Sequence, residues 1–334
     1  MTIMNKSTWN SEKEDMFASS ITSGLRVENL SKDCGVPFTL TKNTIADGHI
    51  YSWNAAKAFY PEGVDRFGSF MDNLKSVGKK VGFDGDVTAM MDQPKIDTLN
   101  PNDLSTLTIF DLTDEKLKEF LLSDTYKKDN SIWMLDKPGF GIILKEEDYN
   151  KFKNETGKKA AIMYPAADCS VIKVEDKENH FIGLIHAAWQ HTSRGLPYAF
   201  LKKLENNYGT DLSKLKVYVG PMSTDLTYDN LPDDIKNNEV FWPSDFVKTT
   251  DENKVKLDFK RAVYNQIINA GVSPSNIKIS DANTLFDEEY FTHAGKFNGN
   301  LNASDGRNAY MMMYNTMNPA VLVKKMDSAN IKRI

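Results

Sequence analysis

Cysteine is scarce in this chain: 334 residues hold only Cys34 and Cys169, and histidine numbers five. Two thiols allow at most one disulfide and form neither a Cys-x-x-Cys pair nor a zinc-finger spacing, so reduced thiols are expected. No stretch approaches the roughly 20 consecutive apolar residues of a membrane-spanning helix. The opening MTIMNKSTWNSEKEDMFASS lacks the continuous apolar centre of a secretory signal. A cytoplasmic location is the expectation, with signal-independent secretion left open. An excess of positive charge is absent as well: 41 Lys+Arg stand against 46 Asp+Glu, a net charge of -5, and the lysines are scattered among acids. Neither nucleic acid nor membrane is an expected partner. A phosphate-cradling P-loop, a His-Glu-x-x-His pair, a Gly-x-Ser-x-Gly elbow and a dinucleotide-binding glycine motif are all missing.

What is present is a globular composition, 40% hydrophobic, long enough to bury a real core. Residues 1–25 are polar and aperiodic and read as a tail. A short strand is expected from Phe38, a loop with His49 over 45–54, a helix capped by Asp65, and a strand over Val87 to Met91. The charged interval 97–160 reads as an insertion, with a helix from Asp114 to Leu122 and a strand from Gly141 to Leu144. Beyond it, helices are expected from Gly195 to before Gly209 and from Asp258 to Gly271, and strands at Leu215 to Val219, Ile277 to Ile279 and near Tyr310. Strands alternating with helices indicate an α/β or α+β class.

The chemistry is concentrated in Tyr164 to Gly195, which holds Cys169, Asp168 and three of the histidines, His180, His186 and His191. An apolar run from Ala160 leads to Cys169, and another, Phe181 to Ile185, ends at His186. The charged turn Glu175 to Asn179 lies between them and reads as a hairpin. A thiol beside an imidazole is a nucleophile–base pair or a pair of metal ligands; a buried structural cysteine is the alternative. Asp168 can orient an imidazole or a hydroxyl-bearing substrate, or cap a turn. Trp189 suits the wall of a planar-ring pocket, and Arg307, after Asp305-Gly306, suits an anion. His49, His191 and His293 fall in expected loops and are further candidates.

Ala167-Asp168-Cys169 followed by His186-Ala-Ala-Trp189 resembles the YfiH-like family, also called the laccase-domain or multicopper polyphenol oxidoreductase family, whose members carry A-D-C and then H-A-G-W-R-G. Other matches follow in the same order: Phe38-Thr39, Ser52-Trp-Asn54, Gly220-Pro221 with Tyr228, Leu257-Asp258, Ala270-Gly271-Val272, Phe291-Thr-His293 and Gly306-Arg307. The resemblance implies one domain over 26–334. It also implies a fold of mixed β-sheets flanked by helices, shared with the cysteine-hydrolase-like deamidase domains of cytotoxic necrotizing factors. It further implies a purine nucleoside pocket, with phosphorolysis or deamination as the reaction and nucleoside and phosphate as partners.

In such proteins the cysteine and histidine join a second histidine, from Q-V-H-G, to bind zinc. Here that segment is Gln93-Pro94-Lys95-Ile96, so zinc on Cys169 and His186 faces a lysine where the third ligand belongs, and copper is not expected. By this resemblance Cys169, His186 and Asp168 are the catalytic candidates, and Lys95, Trp189, Gln190, His293 and Arg307 the substrate-binding ones. Gln190 and His191 replace the motif's arginine and last glycine. A metal-free cysteine hydrolase or glutamine deamidase acting on a protein is the alternative function, and a degenerate binding protein the second.

Overall fold

The computed structural model describes residues 19–22, 25–28, 38–40, 87–91, 94, 98–122, 132–134, 138–250, 252, 254–287, 290, 292–295, 298, 299 and 308–314. The expected helix after Asp65, and His49, Lys95 and Arg307, lie outside them.

In the first half the strands are Ser19–Thr22 (β1), Leu25–Glu28 (β2), Phe38–Leu40 (β3), Val87–Met90 (β4), Ile109–Asp111 (β5), Ile132–Met134 (β6), Gly141–Lys145 (β7) and Ala160–Ala166 (β8). The second half adds Ser170–Asp176 (β9), Phe181–Ala187 (β10), Lys216–Val219 (β11), Asp225–Tyr228 (β12), Val247–Thr249 (β13), Val255–Asp258 (β14), Ile277–Ile279 (β15) and Asn308–Met313 (β16). The helices are Asp114–Leu122 (α1), Glu146–Thr156 (α2), Trp189–Ser193 (α3), Leu196–Tyr208 (α4), Asp233–Lys236 (α5) and Phe259–Ala270 (α6).

Two mixed sheets carry the fold, one in the order β1-β2-β3-β16-β8-β4-β6 and one in the order β15-β11-β9-β10-β7-β5; β12, β14 and β13 form a small third sheet. Val87, Ile162, Tyr164, Tyr310 and Met312 of the first sheet meet Ile142, Leu144, Val171, Ile182 and Leu184 of the second in one buried cluster, which α1 and α2 close with Leu117, Phe120, Tyr149 and Phe152. The opposite face of the second sheet, through Ile143, Ile172, Val174, Ile185 and Val217, packs on α4 and α6. The result is a sheet, sheet, helix layering, with β9 and β10 at its centre.

The helical layer follows directly from sequence. Leu196, Ala199, Phe200, Leu201 and Leu204 are fully buried along α4, so cutting one of the leucines to alanine costs about 2–5 kcal/mol. Gly195 precedes α4 at φ +85, and a Cβ there would sit 2.7 Å from the Phe241 ring, so only glycine fits. Asp258 caps α6 by accepting the Arg261 N–H at 3.1 Å. Gln266 then ties the layer together, donating to the carbonyls of Thr192 and Phe241 at 2.6 and 3.0 Å.

Two expectations need correction. Ser19–Thr22, inside the expected tail, pairs with Leu25–Glu28 as an antiparallel ribbon. From the interval 97–160, expected as an insertion, β5 and β7 extend the second sheet and β6 the first. Most consequentially, the run from Ala160 to Cys169 is not one arm of a hairpin. β8 pairs with β4 and β16 in the first sheet, the chain turns at Asp168 with φ +68, and β9 starts afresh in the second. The hairpin is β9–β10, closed where the Asp176 carboxylate accepts the N–H groups of Glu178 and Asn179 at 3.0 and 2.9 Å. Lys173 and Glu175 hid β9 from the sequence, since both are buried in mid-strand.

Candidate functional site

The crossing from one sheet to the other puts Cys169 at the mouth of the β9–β10 hairpin, beside the end of β10 where His186 stands. Val171 faces His186 in the antiparallel register. Cys169 lies in the bend just before β9, two positions from Val171. Cys169 is a half-buried thiol outside any disulfide, packed against the cluster between the sheets to which Tyr164 belongs. The Tyr164 ring stacks on the His186 imidazole, with centroids 4.3 Å apart and planes 9° from parallel.

Across the mouth stands a second aromatic pair, Trp189 at the start of α3 and Tyr228 at the end of β12, with ring centroids 5.5 Å apart. Burial pushes the Tyr228 phenol up to about 12, with the negative charge available to Cys169 and Asp168 acting in the same direction. Tyr228 is therefore a neutral hydroxyl donor at physiological pH, close enough to both residues to sense them.

Asp168 is 6% exposed, and both its carboxylate oxygens are taken. One accepts the hydroxyls of Thr284 and Thr292, each at 2.7 Å; the other accepts the backbone N–H groups of His293 and Ala294 at 2.7 and 2.8 Å. Its carbonyl accepts the Ser223 N–H at 3.0 Å and the Ser223 hydroxyl at 2.9 Å. A carboxylate has about four acceptor positions, so the expectation that Asp168 orients substrate directly meets a group already filled by its own chain. Thr284, Thr292 and Ser223 were not visible as site residues, because they lie 116, 124 and 55 positions from Asp168 and carry no motif.

The other candidates are dispersed. His293 is exposed, with its backbone held by Asp168. Gln190 is half-buried in α3, where its carbonyl accepts the Ser193 hydroxyl at 2.7 Å. His191 is 8% exposed, edge-on to Phe140 at 5.9 Å. Burial lowers its imidazole to about 4, against the opposing pull of the nearby Pro94 carbonyl, and neither ring nitrogen reaches full hydrogen-bond geometry among the described residues. His180 is at the far end of the hairpin, 3.0 Å from Glu146.

Whether these residues fit a metal can be judged from the donors. Among the described residues, no third His, Cys, Asp or Glu joins Cys169 and His186 in a cluster compact enough to hold an ion; Asp114, Glu115 and Asp148 do form such a cluster. Lysines fill that one. The Asp114 carboxylate accepts Lys118 at 2.7 Å and Lys151 at 3.0 Å, and the hydrogen bond from Lys118 holds its carboxyl well below the usual range. Structural or catalytic zinc takes at least three protein ligands, so the described part of the Cys169–His186 site does not by itself meet that requirement.

The family model described as multi-copper polyphenol oxidoreductase laccase matches residues 154–315, which include both sides of the site. A purine nucleoside phosphorylase of Staphylococcus saprophyticus is 36% identical over 128 residues, 37% of this chain and 47% of that protein. One from Staphylococcus epidermidis is 31% identical over 128 residues, 37% and 46% of the two chains. The chain thus spans about half the length of the curated relatives it matches. YlmD of Geobacillus stearothermophilus superposes with a TM-score of 0.62 at 18% identity, covering 90% of this chain and 99% of that one. For YfiH of Bacillus licheniformis the values are 0.59, 16%, 88% and 97%; at these identities the likeness is one of fold. The matched segment carries the Ala-Asp-Cys turn and the histidine strand, and the fold is the one seen in the YfiH and YlmD structures.

Proposed function

We propose that this protein is an enzyme acting on a purine nucleoside or a similar small polar substrate, by phosphorolysis or deamination, through Cys169 and His186. The observation that supports the reading is that Cys169, just before β9, and His186, opposite Val171 in β10, stand at the open end of one hairpin, with the Tyr164 ring stacked on His186 and the Tyr228 phenol near enough to Cys169 to sense its charge. The names of the staphylococcal relatives support the nucleoside class.

In phosphorolysis a phosphate oxygen bonds to C1′ while the glycosidic C–N bond breaks and its electron pair leaves with the purine. The protein's task is to position both partners and stabilise the leaving base. His186, held by the Tyr164 ring, is the proton donor to the departing purine nitrogen. Cys169 is the thiol that the same imidazole can deprotonate, the pairing that nucleophilic catalysis uses. Trp189 walls the planar base, and Tyr228 donates a hydrogen bond. Lys95 and Arg307 are assigned to phosphate by charge, Gln190 and His293 to the polar edges of the substrate.

Turnover of adenosine and inosine, with and without phosphate, tests this. Cys169→Ala and His186→Ala should each lower it by on the order of 10²–10⁴-fold. The second reading is a metal-free cysteine hydrolase or glutamine deamidase acting on a protein, favoured by Lys95 in the place of a ligand histidine. Inertness toward both nucleosides, with ammonia released from glutamine-containing proteins and lost in Cys169→Ala, would replace the first reading by the second.

A further inference from the structure

We infer that Asp168 is the positioning residue of the site, a latch that joins three distant segments of the chain to the turn carrying Cys169 and thereby fixes where the thiol points. Asp168 adopts φ +68, a left-handed conformation that costs a non-glycine residue energy and persists only where the surroundings enforce it. Those surroundings are explicit. Two threonine hydroxyls converge on one carboxylate oxygen, two consecutive N–H groups on the other, and Ser223 holds the carbonyl through both its N–H and its hydroxyl.

The hydroxyls of Thr284 and Thr292 come from the segment after β15, and Ser223 from the segment between β11 and β12, so the turn leading into Cys169 cannot rotate independently. A charged acceptor shared by four donors is stronger than the same count of neutral bonds. It is also the kind of network in which loss of one member leaves the others buried and unmet. Asp168 acts through Cys169 and touches no reacting atom. Loosening the latch releases the half-buried thiol from the core between the sheets and exposes it.

The test reads the thiol and not nucleoside turnover, so it stands apart from the assay of the proposed function. In a full-length Cys34→Ser background, the rate of Cys169 alkylation by iodoacetamide is measured across pH for Asp168→Asn, for the pair Thr284→Val and Thr292→Val, and for Thr292→Ser. Asparagine presents an amide N–H to one of the two donor sets and breaks half the latch; the valines keep side-chain volume and the carboxylate but remove both hydroxyl donors.

Alkylation about tenfold or more faster in the first two, as expected when a small displacement frees a held group, with the wild-type profile retained in Thr292→Ser, bears the inference out. A helical-layer control, Ile267→Val, lowers stability without moving the profile. Should Asp168→Asn fail to fold, the threonine pair decides. A folded Thr284→Val, Thr292→Val protein whose thiol profile coincides with the wild type overturns the inference.

Discussion

The phenol ring of Tyr164 lies flat on the imidazole of His186, 4.3 Å between centroids and 9° from parallel. The two residues belong to different sheets, Tyr164 to β8 and His186 to β10, so the contact crosses the interface between the layers at the mouth of the site. Aromatic pairs of this kind contribute about 0.5–1.5 kcal/mol beyond area burial, enough to hold one imidazole rotamer against its alternatives.

Tyr164→Phe keeps the ring, and turnover should stay within about twofold of wild type. Tyr164→Leu keeps the apolar volume but removes the stack, and turnover should fall by about tenfold, the equivalent of roughly 1.4 kcal/mol. Steady-state kinetics on whichever substrate proves active checks this, with circular dichroism confirming the fold. Equal activity in Phe and Leu variants would remove any orienting role from the stack.

His191 makes the protein acid-sensitive. Its imidazole is held near 4 in the fold, chiefly by burial, with Arg194 adding to the effect and the Pro94 carbonyl and Asp234 opposing it. An unfolded histidine titrates near 6.5. Between those values the unfolded chain binds the proton that the folded one refuses, so stability present above about pH 6.5 is lost as pH falls toward 4. The contribution is up to about 3 kcal/mol. His191→Leu should lose less stability than wild type between pH 7 and 4 by about that amount, while differing at pH 7 by less than about 1.5 kcal/mol. Urea denaturation at several pH values measures both.

The helical layer could be read from the chain because its signals are local. Gly195, Gly209, Asp258 and Gly271 bracket α4 and α6, and the apolar spacing between them is helical. The Asp168 latch was not legible, because its partners arrive from 55 to 126 positions away and a lone threonine or serine says nothing about where its hydroxyl points. Nor was the break between β8 and β9, where an aspartate takes the conformation a glycine would normally announce. Lys173 and Glu175 defeated the apolar pattern in the strand that follows, and the charged residues of 97–160 concealed strands short enough to resemble loop.

Tyr228 should make its own mark at the alkaline end. Burial and the neighbouring negative charges raise its phenol to about 12 in the fold, above the unfolded value near 10. The stabilisation is complete below pH 10 and is lost as pH rises through 12, because the unfolded chain ionises first. The hydroxyl is only part-buried, so screening by solvent reduces the effect to about 1–2 kcal/mol. Denaturation between pH 9 and 12 should show a steeper loss in wild type than in Tyr228→Phe. The difference between the two proteins isolates Tyr228 from Tyr208 and Tyr264, whose phenols are also shifted upward.

Zinc gives the sharpest test of whether this chain has the metal site that its sequence resemblance implies. Cys169 and His186 offer two ligands, and in the sequence a lysine, Lys95, stands where the resemblance places a third. An ammonium group donates hydrogen bonds and has no lone pair for a metal while protonated, and two ligands fall short of the three that zinc sites use. Lys95→His supplies an imidazole at that position. Zinc should then bind about a hundredfold tighter than to wild type, a gain of roughly 2.8 kcal/mol, and Cys169→Ala in the Lys95→His background should abolish it. Isothermal titration with zinc, together with metal analysis of the purified proteins, reads the result. If wild type already binds zinc stoichiometrically and tightly through Cys169, lysine is not what separates the two sites, and the third ligand comes from elsewhere in the chain.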